Sequence, residues 1–154
     1  MGGRETRGAP AAVECSGGRW IGDGGICTTA QIRGMQDFKK LHVWQRSQDL
    51  AAALYGATAD LRGRDVVSLR SQLRRAAQSI AANIAEGANA ASPKDFARYL
   101  QMAIASASET ESHLDLALRT AVMPASVVMP LIDEVIAARK MLIVLRKRVL
   151  ESRP

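Results

Sequence analysis

A chain of 154 residues, 47% apolar but only 4% aromatic, can bury one sizeable core built from Ala, Leu, Ile and Val, a balance that favours helices over a β-sandwich. No apolar run approaches the ~18 residues that a bilayer demands, and no apolar stretch follows the first arginines, so a spanning helix and a secretory signal are not expected. The net charge of +6, with a pI near 9.9, tilts the expectation toward a polyanionic partner such as nucleic acid.

The chain opens on a segment unlike the rest. Nine of the 12 glycines fall in the first 34 residues, where neither a helical nor a strand period appears. Glycine at this density cannot repay its ordering entropy, so residues 1–34 read as a disordered leader, with Met35 a credible start. Gly22-Asp23-Gly24-Gly25 has no Gly-Lys-Ser/Thr ending and no flanking strand and helix, so it is not a phosphate loop. Cys15 and Cys27 lack zinc-site spacing and a neighbouring His, which fits a reducing cytoplasm rather than a disulfide scaffold.

Residues 35–154 punctuate themselves into four helices. The first is expected over 37–60, with Asp37 as N-cap and Phe38, Leu41, Trp44, Ala51, Tyr55 and Thr58 on its main stripe. Val43, Leu50, Leu54, Ala57 and Leu61 lie off that stripe, and Gly63 supplies the stop. The second is expected over 66–88, capped by Asp65, with Val66, Leu69, Leu73, Ala76, Ala77, Ile80 and Ile84 on one face and Gly87 and Asn89 ending it. Ser92-Pro93 with Asp95 then reads as a near-capping box that starts the third helix, 93–120. Phe96, Leu100, Ala103, Ala107, Leu114, Ala117 and Leu118 form its apolar face, and the small residues of 103–108 invite close helix approach. Pro124 breaks the chain, and the fourth helix runs from 127 or 130 to 150, with Pro130 tolerable only in the first turn. Four helices with short connections pack most simply as an antiparallel up-down-up-down bundle.

The fourth helix carries two apolar stripes at ~100° per residue: Leu131, Val135, Ala138, Leu142, Leu145 and Val149, then Ile132, Ile136, Ile143 and Leu150. One stripe suffices for an intramolecular core, and the second points to burial against another subunit. Cations group in two places, Arg70, Arg74 and Arg75 on the second helix and Arg139, Lys140, Arg146, Lys147 and Arg148 on the fourth. Both groups are candidate nucleic-acid contacts, since Arg binds phosphate bidentately. Helix-dipole complementarity accounts for part of the second group without any ligand.

Candidates for chemistry are poor. Glu109 and His113 stand at i, i+4, but the paired Glu-x-x-His motifs of a di-iron bundle are missing, as is any Gly-x-Ser-x-Gly elbow. No catalysis, cofactor or metal is expected. Asn83 and Glu86 on the second helix, with Ser106 and Glu109 on the third, read as a polar core that fixes helix register.

The run Gln72-Leu73-Arg74-Arg75-Ala76-Ala77-Gln78-Ser79-Ile80-Ala81-Ala82-Asn83-Ile84-Ala85-Glu86-Gly87 resembles the signature of the bacterial four helix bundle protein family. Phe38-Lys39-Lys40-Leu41-His42-Val43-Trp44-Gln45, Asp95-Phe96-Ala97-Arg98-Tyr99-Leu100 and Ser106-Ala107-Ser108-Glu109-Thr110-Glu111 match it too, as does Lys140-Met141-Leu142. That family includes proteins encoded by 23S ribosomal RNA intervening sequences and the accessory variability proteins of diversity-generating retroelements. The resemblance implies a ring-shaped homo-oligomer, a pentamer in known relatives, whose basic surface engages a reverse transcriptase and its template RNA in the retroelement members. It departs from the family at the first connection, where Leu61-Arg62-Gly63-Arg64-Asp65-Val66-Val67 replaces a pattern like Phe-Pro-x-x-Glu-x-Tyr. Two functions follow as expectations: an RNA-leaning accessory factor, or a protein–protein scaffold with incidental charge.

Overall fold

The computed structural model describes residues 37–152. The leader assignment for residues 1–34 therefore lies outside the described residues. Four helices follow one another: α1 (His42–Ala57), α2 (Arg64–Ala88), α3 (Pro93–Arg119) and α4 (Ala125–Glu151), preceded by a single 3-10 turn, Phe38–Lys40. The described residues are all-α. α3 packs along both α2 and α4, while the shorter α1 closes the bundle against α2 and α4. Cross-helix contacts fix the directions. Ser79 meets Ser106 while Gly87 meets Phe96 and Tyr99, so α2 and α3 run antiparallel.

α1 departs from its expected form at both ends. Asp37 precedes the 3-10 turn but makes no side-chain capping bond, and Leu41 is extended (ψ 114°), so the α-helix begins only at His42. Of the expected stripe, Phe38, Leu41 and Trp44 are half-buried against the core and Ala51 is buried. Val43, Ser47, Leu50 and Leu54, which lie off that stripe, are buried as well, whereas Tyr55 is exposed. Thr58 is fully buried and donates back to the Leu54 carbonyl at 2.6 Å.

Gly63 adopts φ +123°, which a side chain would resist, and serves as the N-cap of α2. α2 thus starts before Asp65, which lies in the first turn rather than at the cap. At the other end Gly87 is still helical, and Asn89 closes α2 with its amide on the Ala85 carbonyl at 3.0 Å. The role of Gly87 is space. A Cβ there would sit 2.6 Å from Tyr99 Cβ and 2.7 Å from Phe96 Cδ2.

α3 begins as its sequence indicates: Ser92 Oγ accepts from the Asp95 amide at 3.1 Å, and Pro93 occupies the first turn. It ends in a Schellman turn, with Val122 N–H donating to the Ala117 carbonyl and Ala121 N–H to that of Leu118. Ala121 holds the left-handed position at φ 54°, where glycine is the usual occupant. Because Ala incurs about 1 kcal/mol of strain there, Ala121→Gly is expected to raise stability by about 0.5–1 kcal/mol, measured as a higher urea midpoint at unchanged slope.

α4 starts at Ala125, earlier than expected, with the Val127 and Val128 amides both on the Pro124 carbonyl. Pro130 consequently lies in the second turn, not the first. It is exposed there, so water can take the Ser126 carbonyl that its missing N–H leaves open. The first apolar stripe, Leu131, Val135, Ala138, Leu142, Leu145 and Val149, is buried throughout. The second is covered only at its start: Ile132 is buried and Ile136 half-buried, whereas Ile143 and Leu150 are 51% and 39% exposed.

Candidate nucleic-acid interface

Arg70 and Arg74 are one helical turn apart on α2 and share a face, with Arg75 about 100° further round. That face looks onto the end of α1, whose last carbonyls lack helical partners and carry the negative end of its dipole. Arg74 answers them, donating from Nε to Thr58 Oγ1 at 2.8 Å and from Nη2 to the Tyr55 carbonyl at 3.1 Å. Its guanidinium also lies 4.3 Å from the centroid of the Tyr55 ring. Arg70 donates from Nη1 to the Leu61 carbonyl at 2.9 Å. Arg75 is exposed, and its side chain makes no hydrogen bond or ion pair with any described residue.

Arg70, Arg74 and Arg75 line one open concavity of about 310 Å³ with Tyr55, Val67 and Ser71. Among the described residues no carboxylate lines it. Arg70 and Arg74 are held by backbone carbonyls, so their remaining N–H donors are pre-positioned at little entropic cost. Bases would find less here than phosphates. Arg74 covers one face of Tyr55, Phe38 and Trp44 pack edge-to-face at 5.0 Å, and Phe96 is buried.

The cations of α4 are elsewhere. Up-and-down packing places the last turns of α4 at the opposite end of the bundle from the α1–α2 connection, so the eight candidate contacts do not form one surface. Arg139 is committed to Glu111 and Ser108, and Lys147 lies 3.8 Å from Glu151. Arg148 is half-buried and not free. Lys140 is exposed, and Arg146 is half-buried with Nε lacking an acceptor.

The expected polar core is smaller than four residues and contains one that the sequence reading missed. Asn83 is buried and donates from Nδ2 to the Ser79 carbonyl at 2.8 Å and to Ser79 Oγ at 3.1 Å. The buried Ser106 hydroxyl reaches Ser79 Oγ at 3.0 Å, linking α2 to α3. Ser79 is therefore the hub, and its i, i+4 relation to Asn83 was the signal for it. Glu86 and Glu109 are exposed and stand outside this network. Glu109 lies 3.5 Å from His113 Nε2, which is buried but not aligned to donate to it. Among the described residues no three His, Cys, Asp or Glu side chains gather as a metal site, and no helix is long and apolar enough to cross a membrane.

A second open groove, of about 380 Å³, runs between α2 and α3 over Ala76, Ser79 and Ala82, with Arg75 and Glu109 on its walls.

The fold and signature have known counterparts. The chain is similar over 68% of its length, at 27% identity and a TM-score of 0.63, to a crystal structure from Bacteroides thetaiotaomicron, 98% of which is covered. That structure is described as a protein with unknown function from the S23 ribosomal protein family. None of the curated proteins matches the chain. The family described as 23S rRNA-intervening sequence protein matches residues 39–144, a span that runs from the 3-10 turn into α4 and takes in the whole α2 signature. The chain belongs to the 23S rRNA-intervening sequence protein family.

Proposed function

We propose that the protein is a non-catalytic, basic, self-associating accessory factor that binds nucleic acid, RNA in particular, through the Arg70, Arg74 and Arg75 concavity. The observation that carries this reading is that Arg70, Arg74 and Arg75 line one depression of about 310 Å³ with no carboxylate among the described residues that line it. Such a site attracts phosphate by charge and bidentate geometry, without selecting a sequence. The α2 signature, through its resemblance to retroelement accessory proteins, supports a reverse transcriptase as the protein partner. The same resemblance supports a pentamer as the assembly.

A scaffold of ribosomal RNA intervening-sequence type, with no nucleic-acid role, is the second reading. One observation favours it: these cations already have partners within the chain, Arg70 on Leu61, Arg74 on Thr58 and Tyr55, and Arg139 on Glu111. Titration of the purified protein against structured RNA at several salt concentrations separates the two. Binding at ~50 mM salt that weakens steeply as salt rises supports the accessory factor. Absence of binding there, with self-association intact, leaves the scaffold.

A further inference from the structure

The basic concavity does not end at Arg75. Arg75 also lines the α2–α3 groove, of about 380 Å³, so the two depressions adjoin along α2 with this cation between them. Their chemistry differs. The described residues lining the concavity include three cations and no carboxylate, whereas the groove sets a carboxylate, Glu109, and two amides, Gln72 and Gln78, beside Arg75. All three of these side chains are exposed, and none is saturated. The Gln72 and Gln78 side chains bond no described residue, and among those residues Glu109 meets only His113, at 3.5 Å.

A strand whose phosphates sit at the cations presents its other groups to this groove, and each class of group fares differently there. A phosphate is repelled by Glu109. A base finds no aromatic ring among the lining residues, whose floor is the short Ala76, Ser79 and Ala82. A ribose suits the groove. Its hydroxyls donate to a carboxylate, which only accepts, and the amides beside it both donate and accept. The 2′-hydroxyl is the donor that separates RNA from DNA. Packed helices with axes ~8–10 Å apart leave a cleft for one backbone, which favours a single strand over a duplex.

We infer that the α2–α3 groove holds ribose of a single RNA strand, with Glu109 accepting from a 2′-hydroxyl while phosphates lie at Arg70, Arg74 and Arg75. The inference rests on the phosphate-binding reading above and gives the preference for RNA its chemical basis.

Fluorescence anisotropy of labelled oligouridylate and oligodeoxyuridylate of equal length, titrated with the full chain at ~50 mM salt, tests it. The two strands share their base and their phosphates and differ in the 2′-hydroxyl. The ribose strand is expected to bind roughly tenfold more tightly, the worth of one hydrogen bond to a charged group. Glu109→Ala should bring that ratio close to one. Glu109 is exposed, so helicity by circular dichroism should be unchanged in the variant. Loss of its charge raises the affinity of both strands alike, so the ratio carries the result. Equal binding of the two strands by the unaltered protein overturns ribose recognition and leaves phosphate binding standing. A ratio that Glu109→Ala preserves overturns the role of Glu109. Absence of binding by either strand overturns phosphate binding at the concavity, and this inference with it.

Discussion

Leu100→Ala should remove about 2–5 kcal/mol of stability, read as a lower urea midpoint with little change in slope. Leu100 is fully buried on α3, the helix that packs along both α2 and α4. Its neighbours on that face, Ala97, Ala103 and Ala107, are already small. They have no spare side-chain length with which to fill the void, so little of the lost contact is recovered. Against a typical total of about 5–15 kcal/mol the loss is large. A loss below about 1 kcal/mol would mean that the α2–α3–α4 interface is not the centre of the core.

Gly87→Ala sets two effects of opposite sign against each other. In a helix interior Ala is favoured over Gly by about 0.5–1 kcal/mol, so propensity alone makes this substitution stabilising. Packing says otherwise, because the new methyl would lie 2.6 Å from Tyr99 Cβ and 2.7 Å from the Phe96 ring. The ring can turn away, but a Cβ moves only with its backbone, so α2 and α3 must separate locally. Overpacking of this kind costs about 1–3 kcal/mol. The expected net result is destabilisation by about 1–2 kcal/mol, again from urea unfolding. A more stable variant would show that the α2–α3 approach is looser than this.

These two sites illustrate what was legible in the sequence. The core face of α3 and the first stripe of α4 followed from the 3.6-residue period, and the start of α3 from Ser92, Pro93 and Asp95. The face of α1 was half legible: Ala51 and Thr58 on its stripe are buried, but so are Val43, Leu50 and Leu54, which lie off it. Gly87 reads locally as a helix end, and only the arrival of Phe96 and Tyr99 from another helix makes it a packing residue. Ala121 was invisible for the converse reason, since a left-handed turn position is normally marked by Gly and here is not.

The candidate interface was legible as charge and not as geometry. Arg70, Arg74 and Arg75 look alike in sequence, yet Arg74 is held by the end of α1, Arg70 by the α1–α2 connection, and the Arg75 side chain bonds no described residue. Whether a cation meets a carbonyl or solvent depends on where α1 ends, which spacing within α2 cannot reveal. For the same reason the basic residues of α4 read as a second patch, although Arg139 has its carboxylate on α3.

This difference makes Arg75 the most direct probe of function. Its removal should leave stability unchanged, since it bonds no described residue, whereas Arg74→Ala also strips Thr58 and Tyr55 of a donor. The decisive measurement is the slope of log affinity against log salt for structured RNA, taken on the unaltered protein and on Arg75→Ala. Each phosphate contact contributes a slope of roughly −0.7 to −0.9. A steep negative slope that becomes shallower by about one unit in Arg75→Ala is the expected result. An affinity indifferent to salt, or a slope that Arg75→Ala leaves untouched, contradicts phosphate binding at this concavity.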